Sequence, residues 1–123
     1  MRPASKLRAR DLGLPFPGIP GPLNAITDVP GVEVGFCTLT DPTRKMRTGV
    51  TAILPRPGTT PQPVWAGQYA LNGNGEMTGS HWINDAGYFL GPVLITNTHG
   101  VGAAHLGATR WMIDHYADYF REE

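Results

Sequence analysis

A single cysteine, Cys37, stands among 123 residues, so no internal disulfide can form and no Cys-pair zinc motif exists. Charge of one sign is also missing, because ten Lys and Arg balance ten Asp and Glu. Without a basic excess, neither the phosphates of a nucleic acid nor an anionic membrane finds an electrostatic partner, so no nucleic acid and no membrane are expected. No run approaches the ~18 apolar residues of a membrane span. Basic Met1 to Arg10 lacks the apolar stretch of a signal peptide, and the expected location is cytoplasmic. Internal repeats and low-complexity tracts are absent. The four histidines, His81, His99, His105 and His115, share no spacing that reads as a metal set. His81 and Asp85 lie four apart, but two ligands do not make a site, so neither a metal nor another cofactor is expected.

Proline punctuates the start of the chain. Pro15, Pro17, Pro20 and Pro22 each fix φ and remove an amide donor, so residues 1–24 read as an extended arm, with Leu14 to Leu23 neither helix nor central strand. Ile26 to Leu39 is interrupted by Pro30-Gly31, where a hairpin is expected, and then alternates Val32, Val34, Phe36 against Glu33, Gly35, Cys37, the period of a half-buried strand. Asp41-Pro42 opens a turn, and Arg44, Lys45 and Arg47 form a short solvated basic loop. Gly49 to Leu54 is a β-branched strand, Pro55 to Pro63 a connector, and Val64 to Ala70 another strand with Trp65 and Tyr69 on one face. Glu76 to Ala86 has helical spacing and ends at the C-cap residue Gly87. Pro92 to Thr96 reads as a strand covered on both faces. From Val101 to about Phe120 the chain is helical, with Leu106, Thr109, Ile113, Tyr116 and Phe120 on one stripe and Arg110, Asp114, Asp118 and Arg121 opposite. An Arg110–Asp114 pair is expected to add roughly 0.3 kcal/mol. Strands followed by strand-helix passages make a mixed α/β layered structure in one domain, 1–123.

Two strings seat polar side chains where core segments have none, LNGNGEMTG (Leu71 to Gly79) and GPVLITNTH (Gly91 to His99). Glycine lets backbone come close to a ligand, while Asn, Thr, Glu and His supply donors and acceptors. Glu76, in the expected first helical turn, either anchors a substrate's ammonium group or serves the helix dipole alone. Asn72 and Asn74 either aim amides at a carbonyl oxygen or simply make an Asn-Gly turn. Trp82 either walls a pocket or packs in the core. Asn97, Thr98 and His99 sit between a strand and a long helix, where α/β folds gather binding groups; Asn97 or Thr98 is equally a helix N-cap, and His99 a hydrogen-bonded structural residue.

Those two strings, with RARDLGLPFPGIPGPLNAITDVPGVEVG (Arg8 to Gly35) and RTGVTAILPR (Arg47 to Arg56), resemble the start of the P1-family, DmpA-like peptidases, the group of L-aminopeptidase/D-esterases and β-peptidyl aminopeptidases. The resemblance runs from about Arg8 to near Phe120. It implies an α-β-β-α sandwich of the self-cleaving, N-terminal-nucleophile type, of which this chain is the N-terminal part of an α subunit. The implied reaction releases N-terminal residues from small peptides, amides or esters by acyl transfer to an N-terminal Ser whose own amine is the base. That nucleophile begins a β subunit and is absent from this chain, so no catalytic residue is assigned. Gly79-Ser80 is the one Gly-Ser step here. It lies far upstream of the family's cleavage point, and cutting it would split the expected helix. The implied partners are the substrate, the remaining α segment, the β subunit and further αβ units in a homo-oligomer. The chain by itself is expected to be inactive. Two alternatives stand beside this reading, an acyltransferase fragment of the ornithine acetyltransferase kind and a non-catalytic module that binds a small amine or a subunit.

Overall fold

The computed structural model describes residues 7–122. Its centre is a three-stranded antiparallel sheet. Strand β1 (Glu33–Asp41) pairs along its whole length with β2 (Met46–Leu54), from Glu33 opposite Leu54 to Asp41 opposite Met46, and β2 pairs on its other side with β5 (Val93–Thr96). The turn between β1 and β2 is set locally. Asp41 accepts a hydrogen bond from the Arg44 N–H at 3.1 Å, and Lys45 takes a left-handed φ of 53°, the conformation such a tight reversal requires. The hairpin thus lies one element later than Pro30-Gly31 suggested. Before those residues, Ile26–Asp28 forms a single 3-10 turn closed by the Asp28 N–H on the Ala25 carbonyl.

Register sorts the side chains onto two faces, because residues opposite one another share a face. Val34, Phe36, Ile53, Thr51, Val93 and Ile95 fall on one; Ala52, Val50, Leu94 and Thr96 fall on the other. Helix α2 (Val101–Glu122) packs on β5, where Gly100, just before it, abuts the Thr96 side chain. The first face carries no such cover: Phe36 is 80% and Ile95 58% exposed.

Two short strands, β3 (Val64–Trp65) and β4 (Tyr88–Phe89), form a separate ribbon next to helix α1 (Ser80–Ala86). The expected strand Val64 to Ala70 therefore shortens to two residues. Its partner β4 is confined between Gly87 and Gly91, both at left-handed φ, and Trp65 and Tyr69 are left exposed. Helix α1 starts at Ser80 rather than Glu76, because Gly79 precedes it at φ 89°, a conformation that α-helix does not continue through. It ends at Gly87, as expected. Among the described residues, no helix is long and apolar enough to cross a membrane.

The stripe that seats α2 differs from the one read off the large apolar residues. Tyr116 is buried, but Leu106, Ile113 and Phe120 are each half-exposed. The packed face instead runs through Val101, Ala104, Ala108, Trp111 and Met112, where small alanines let the helix approach the sheet. The polar face is as expected, with Arg110, Asp114 and Asp118 in solvent. The ion pair among the described residues joins Arg121 to Asp118 at 3.5 Å, rather than Arg110 to Asp114. Both partners are exposed, so it contributes little.

The Pro-rich arm contains neither helix nor strand over 14–23, and 1–6 lie outside the described residues. It is fastened rather than loose. The Arg8 guanidinium donates to the carbonyls of Leu23 and Asn24 at 2.7 and 2.6 Å. The Asp28 carboxylate accepts from the N–H groups of Leu23 and Ala25.

Candidate functional site

Between α1, the free edge of β5 and the packed face of α2 lies a cavity of about 750 Å³. Its walls are largely apolar: Met77, Trp82 and Ile83 on one side, Phe89, Leu90, Val93 and Leu94 along the strands, and Val101, Ala104, Ala108 and Met112 along α2. Volume and lining match those of small-molecule sites, which pair apolar walls with a few placed polar groups. Here the polar groups are Glu76, Thr78, Thr96, His105 and Thr109.

Glu76 is the carboxylate of this set. It lies in the loop before Gly79, four residues ahead of α1 rather than in its first turn, so service to the helix dipole does not account for its position. It forms neither a hydrogen bond nor an ion pair with another described residue. Trp82 lines the same cavity and meets Tyr88 edge-to-face, with ring centres 5.5 Å apart at 85°. The contact orients the indole against the β4 ribbon, on the cavity's rim. Ile83, the buried residue of α1, backs that wall.

The other four candidates lie outside this lining. The Asn72 side chain accepts from the Asn74 N–H at 3.0 Å, an Asx turn that shapes the loop leading to Glu76. Asn97 accepts from the Gly100 N–H at 2.9 Å and donates to the Thr48 hydroxyl at 2.6 Å. It caps the 3-10 turn Thr98–Gly100 that enters α2 and ties that turn to β2. The neighbouring Thr96 hydroxyl donates to the Gly49 carbonyl at 2.9 Å. A Cβ at Gly100 would lie 2.7 Å from that same hydroxyl oxygen. His99 is exposed in the turn. The second polar string is therefore largely a fastening between β5, β2 and α2, which fixes one wall of the cavity.

Sequence reasoning gives no part in a site to His105, Thr109 or Met112: Thr109 reads as part of the packing stripe and His105 only as a histidine outside any metal set. Their spacing with Val101, Ala104 and Ala108 follows one helical face, which was the available signal, but the larger Leu106, Ile113 and Phe120 drew the stripe elsewhere. Ser80, the second residue of the one Gly-Ser step, opens α1. A cut before it would leave that helix whole, contrary to the expectation that cleavage would split it. No three His, Cys, Asp or Glu side chains converge among the described residues.

Peptidase family S58 matches residues 24–123. The chain belongs to that family. Among its S58 relatives, the β-peptidyl aminopeptidase BapA of Sphingosinicella microcystinivorans is 51% identical over 114 residues, which cover 87% of this chain and 29% of that protein. BapA of Sphingosinicella xenopeptidilytica is 48% identical over 113 residues, 86% of this chain and 28% of that one. The solved L-aminopeptidase D-Ala-esterase/amidase of Ochrobactrum anthropi, described as a prototype serine aminopeptidase and a variant of the Ntn hydrolase fold, superposes with a TM-score of 0.82 at 61% identity over 94% of this chain and 34% of its own. The PH0078 protein of Pyrococcus horikoshii superposes at 0.79 with 35% identity. The α/β architecture is thus of the Ntn-hydrolase type. The chain spans about a third of the length of the relatives it matches.

Proposed function

We propose that this S58 chain is the amine-recognising part of an aminopeptidase acting on small peptides, amides or esters. An enzyme that removes N-terminal residues has to tell a terminal ammonium from an internal amide, which calls for a negative partner in a partly desolvated place. The observation that carries the reading is Glu76, the one carboxylate in the lining of a largely apolar cavity and free of any ion pair among the described residues. The β-peptidyl aminopeptidase BapA and the Ochrobactrum L-aminopeptidase among the chain's relatives support it. In the whole enzyme, acyl transfer would pass to an N-terminal Ser supplied by a β subunit, with the remaining α segment completing the sheets and αβ units assembling into an oligomer. This chain's own share is to hold and orient the substrate amine, and alone it is inactive.

Binding of leucinamide by the purified chain, followed by calorimetry, tests this directly. The uncharged analogue 4-methylpentanamide should bind about tenfold more weakly, and Glu76→Gln should erase the difference. Equal affinity of the two ligands for the wild-type chain would remove the reading.

A further inference from the structure

Met112 and Gly91 form a contact that the recognition of an amine does not require. Gly91 is buried in the turn between β4 and β5 at φ 82°. A Cβ there would stand 3.0 Å from the Met112 Sδ and 3.1 Å from its Cε. The end of the Met112 side chain therefore lies close against the bare backbone of Gly91, where a Cβ would have to push it aside by a few tenths of an ångström. From α2, the same side chain forms part of the cavity wall. Methionine has three rotatable bonds and a polarisable sulfur, so such a wall yields to shape at small cost.

We propose that Met112, seated against Gly91, is the specificity-determining residue that sets how large an apolar side chain the cavity accepts beside the amine held by Glu76. The inference rests on the preceding reading of Glu76 and extends it from the amine to the adjoining side chain. An apolar cavity distinguishes side chains by about tenfold per methylene or two, and an adaptable wall flattens that distinction. The substrate class is thus an N-terminal residue with an aliphatic or aromatic side chain of graded size.

The test compares alaninamide with phenylalaninamide on the 123-residue chain carrying 13C-methyl methionine, with the Met77 resonance, retained in every variant, reporting the cavity and Met46, on β2, serving as a reference. Met112→Phe should weaken phenylalaninamide about tenfold and leave alaninamide within about twofold. Met112→Ala should shift the ratio in the opposite direction. Met112→Leu, which keeps the volume, guards against a folding defect and should preserve the wild-type ratio. An unchanged ratio in both Met112→Phe and Met112→Ala overturns the proposal while leaving Glu76 as amine anchor. Loss of discrimination between amine and uncharged amide overturns the amine reading instead, and absence of binding by every amide overturns both.

Discussion

Replacing Gly49 with alanine should destabilise this protein more than any other single-methyl addition to its strands. Gly49 lies in β2 opposite Thr38. Its φ lies outside the left-handed region, so no conformational strain attaches to a side chain there. The obstacle is space: a Cβ would run into the Cys37 carbonyl oxygen and lie 3.2 Å from the Thr38 Cα. These are backbone atoms of β1, paired to β2 along its whole length, and they cannot rotate aside as a flexible side chain does. Overpacking costs about 1–3 kcal/mol, and a rigid obstacle places this case near 3. Two controls separate the causes. Gly79→Ala, at φ 89° in open space, carries the conformational penalty alone, about 1–2 kcal/mol. Gly35→Ala, in open space at ordinary φ, should be neutral or stabilise by about 0.5 kcal/mol. Urea unfolding reads all three, and with a slope of about 1–3 kcal/mol/M the Gly49 variant should lose about 1–3 M in midpoint. A Gly49→Ala midpoint equal to that of Gly35→Ala, or above that of Gly79→Ala, would refute the steric argument. The consequence reaches the cavity, because the Gly49 carbonyl holds Thr96 and adjacent Thr48 holds Asn97.

Asn97→Ala removes both the cap on the Gly100 N–H and the bond to Thr48, and thermal melting should show a loss of about 1–2 kcal/mol. Asn97→Asp, which keeps the acceptor, should recover part of it. Burial pushes the Tyr116 phenol above its ordinary 10.0. The folded state therefore holds that proton more tightly than the unfolded chain, so its contribution is fully present below pH 10 and is lost as pH rises through the folded value. Alkaline unfolding should be less steep in Tyr116→Phe than in the parent; identical curves would exclude Tyr116 as the cause.

What the sequence made legible was whatever depends on nearest neighbours. Asp41-Pro42 marked its turn, Gly87 its helix end, and the alternation after Pro30-Gly31 its strand. What escaped depended on partners distant in the chain. Residues 64–70 carry strand chemistry throughout, yet strand length is set by Tyr88 and Phe89, which only two of them meet. Helix α2 was placed correctly but rotated, since Ala104 and Ala108 matter by being small at a crossing that the helix's own sequence does not announce. In the site, Glu76 and Trp82 were visible as polar and aromatic residues near glycines. Met112 was not, because its role depends on Gly91, twenty-one positions away and buried at positive φ.

Surface area points to one more consequence. A compact chain of 13.3 kDa exposes about 6,500 Å², whereas this one exposes 10284 Å². The fastened but outstretched arm accounts for part of that surplus, with Leu12, Leu14, Phe16 and Ile19 all exposed. The sheet accounts for a further part: Val34, Phe36 and Ile95 share its uncovered face, and β1 presents an unpaired edge. A surplus approaching 4,000 Å² is on the scale of an obligate interface. Uncovered edges and apolar faces of this kind associate when nothing else is present to cover them. Light scattering after size exclusion at about 100 µM should therefore show self-association of the wild-type chain. Phe36→Lys, which places a charge at the centre of the open face, should shift the distribution toward monomer, whereas Asp114→Lys on the solvated side of α2 should not. A monodisperse wild-type monomer at that concentration would mean that the apolar sheet face tolerates water unaided, and the argument from surplus area would fail.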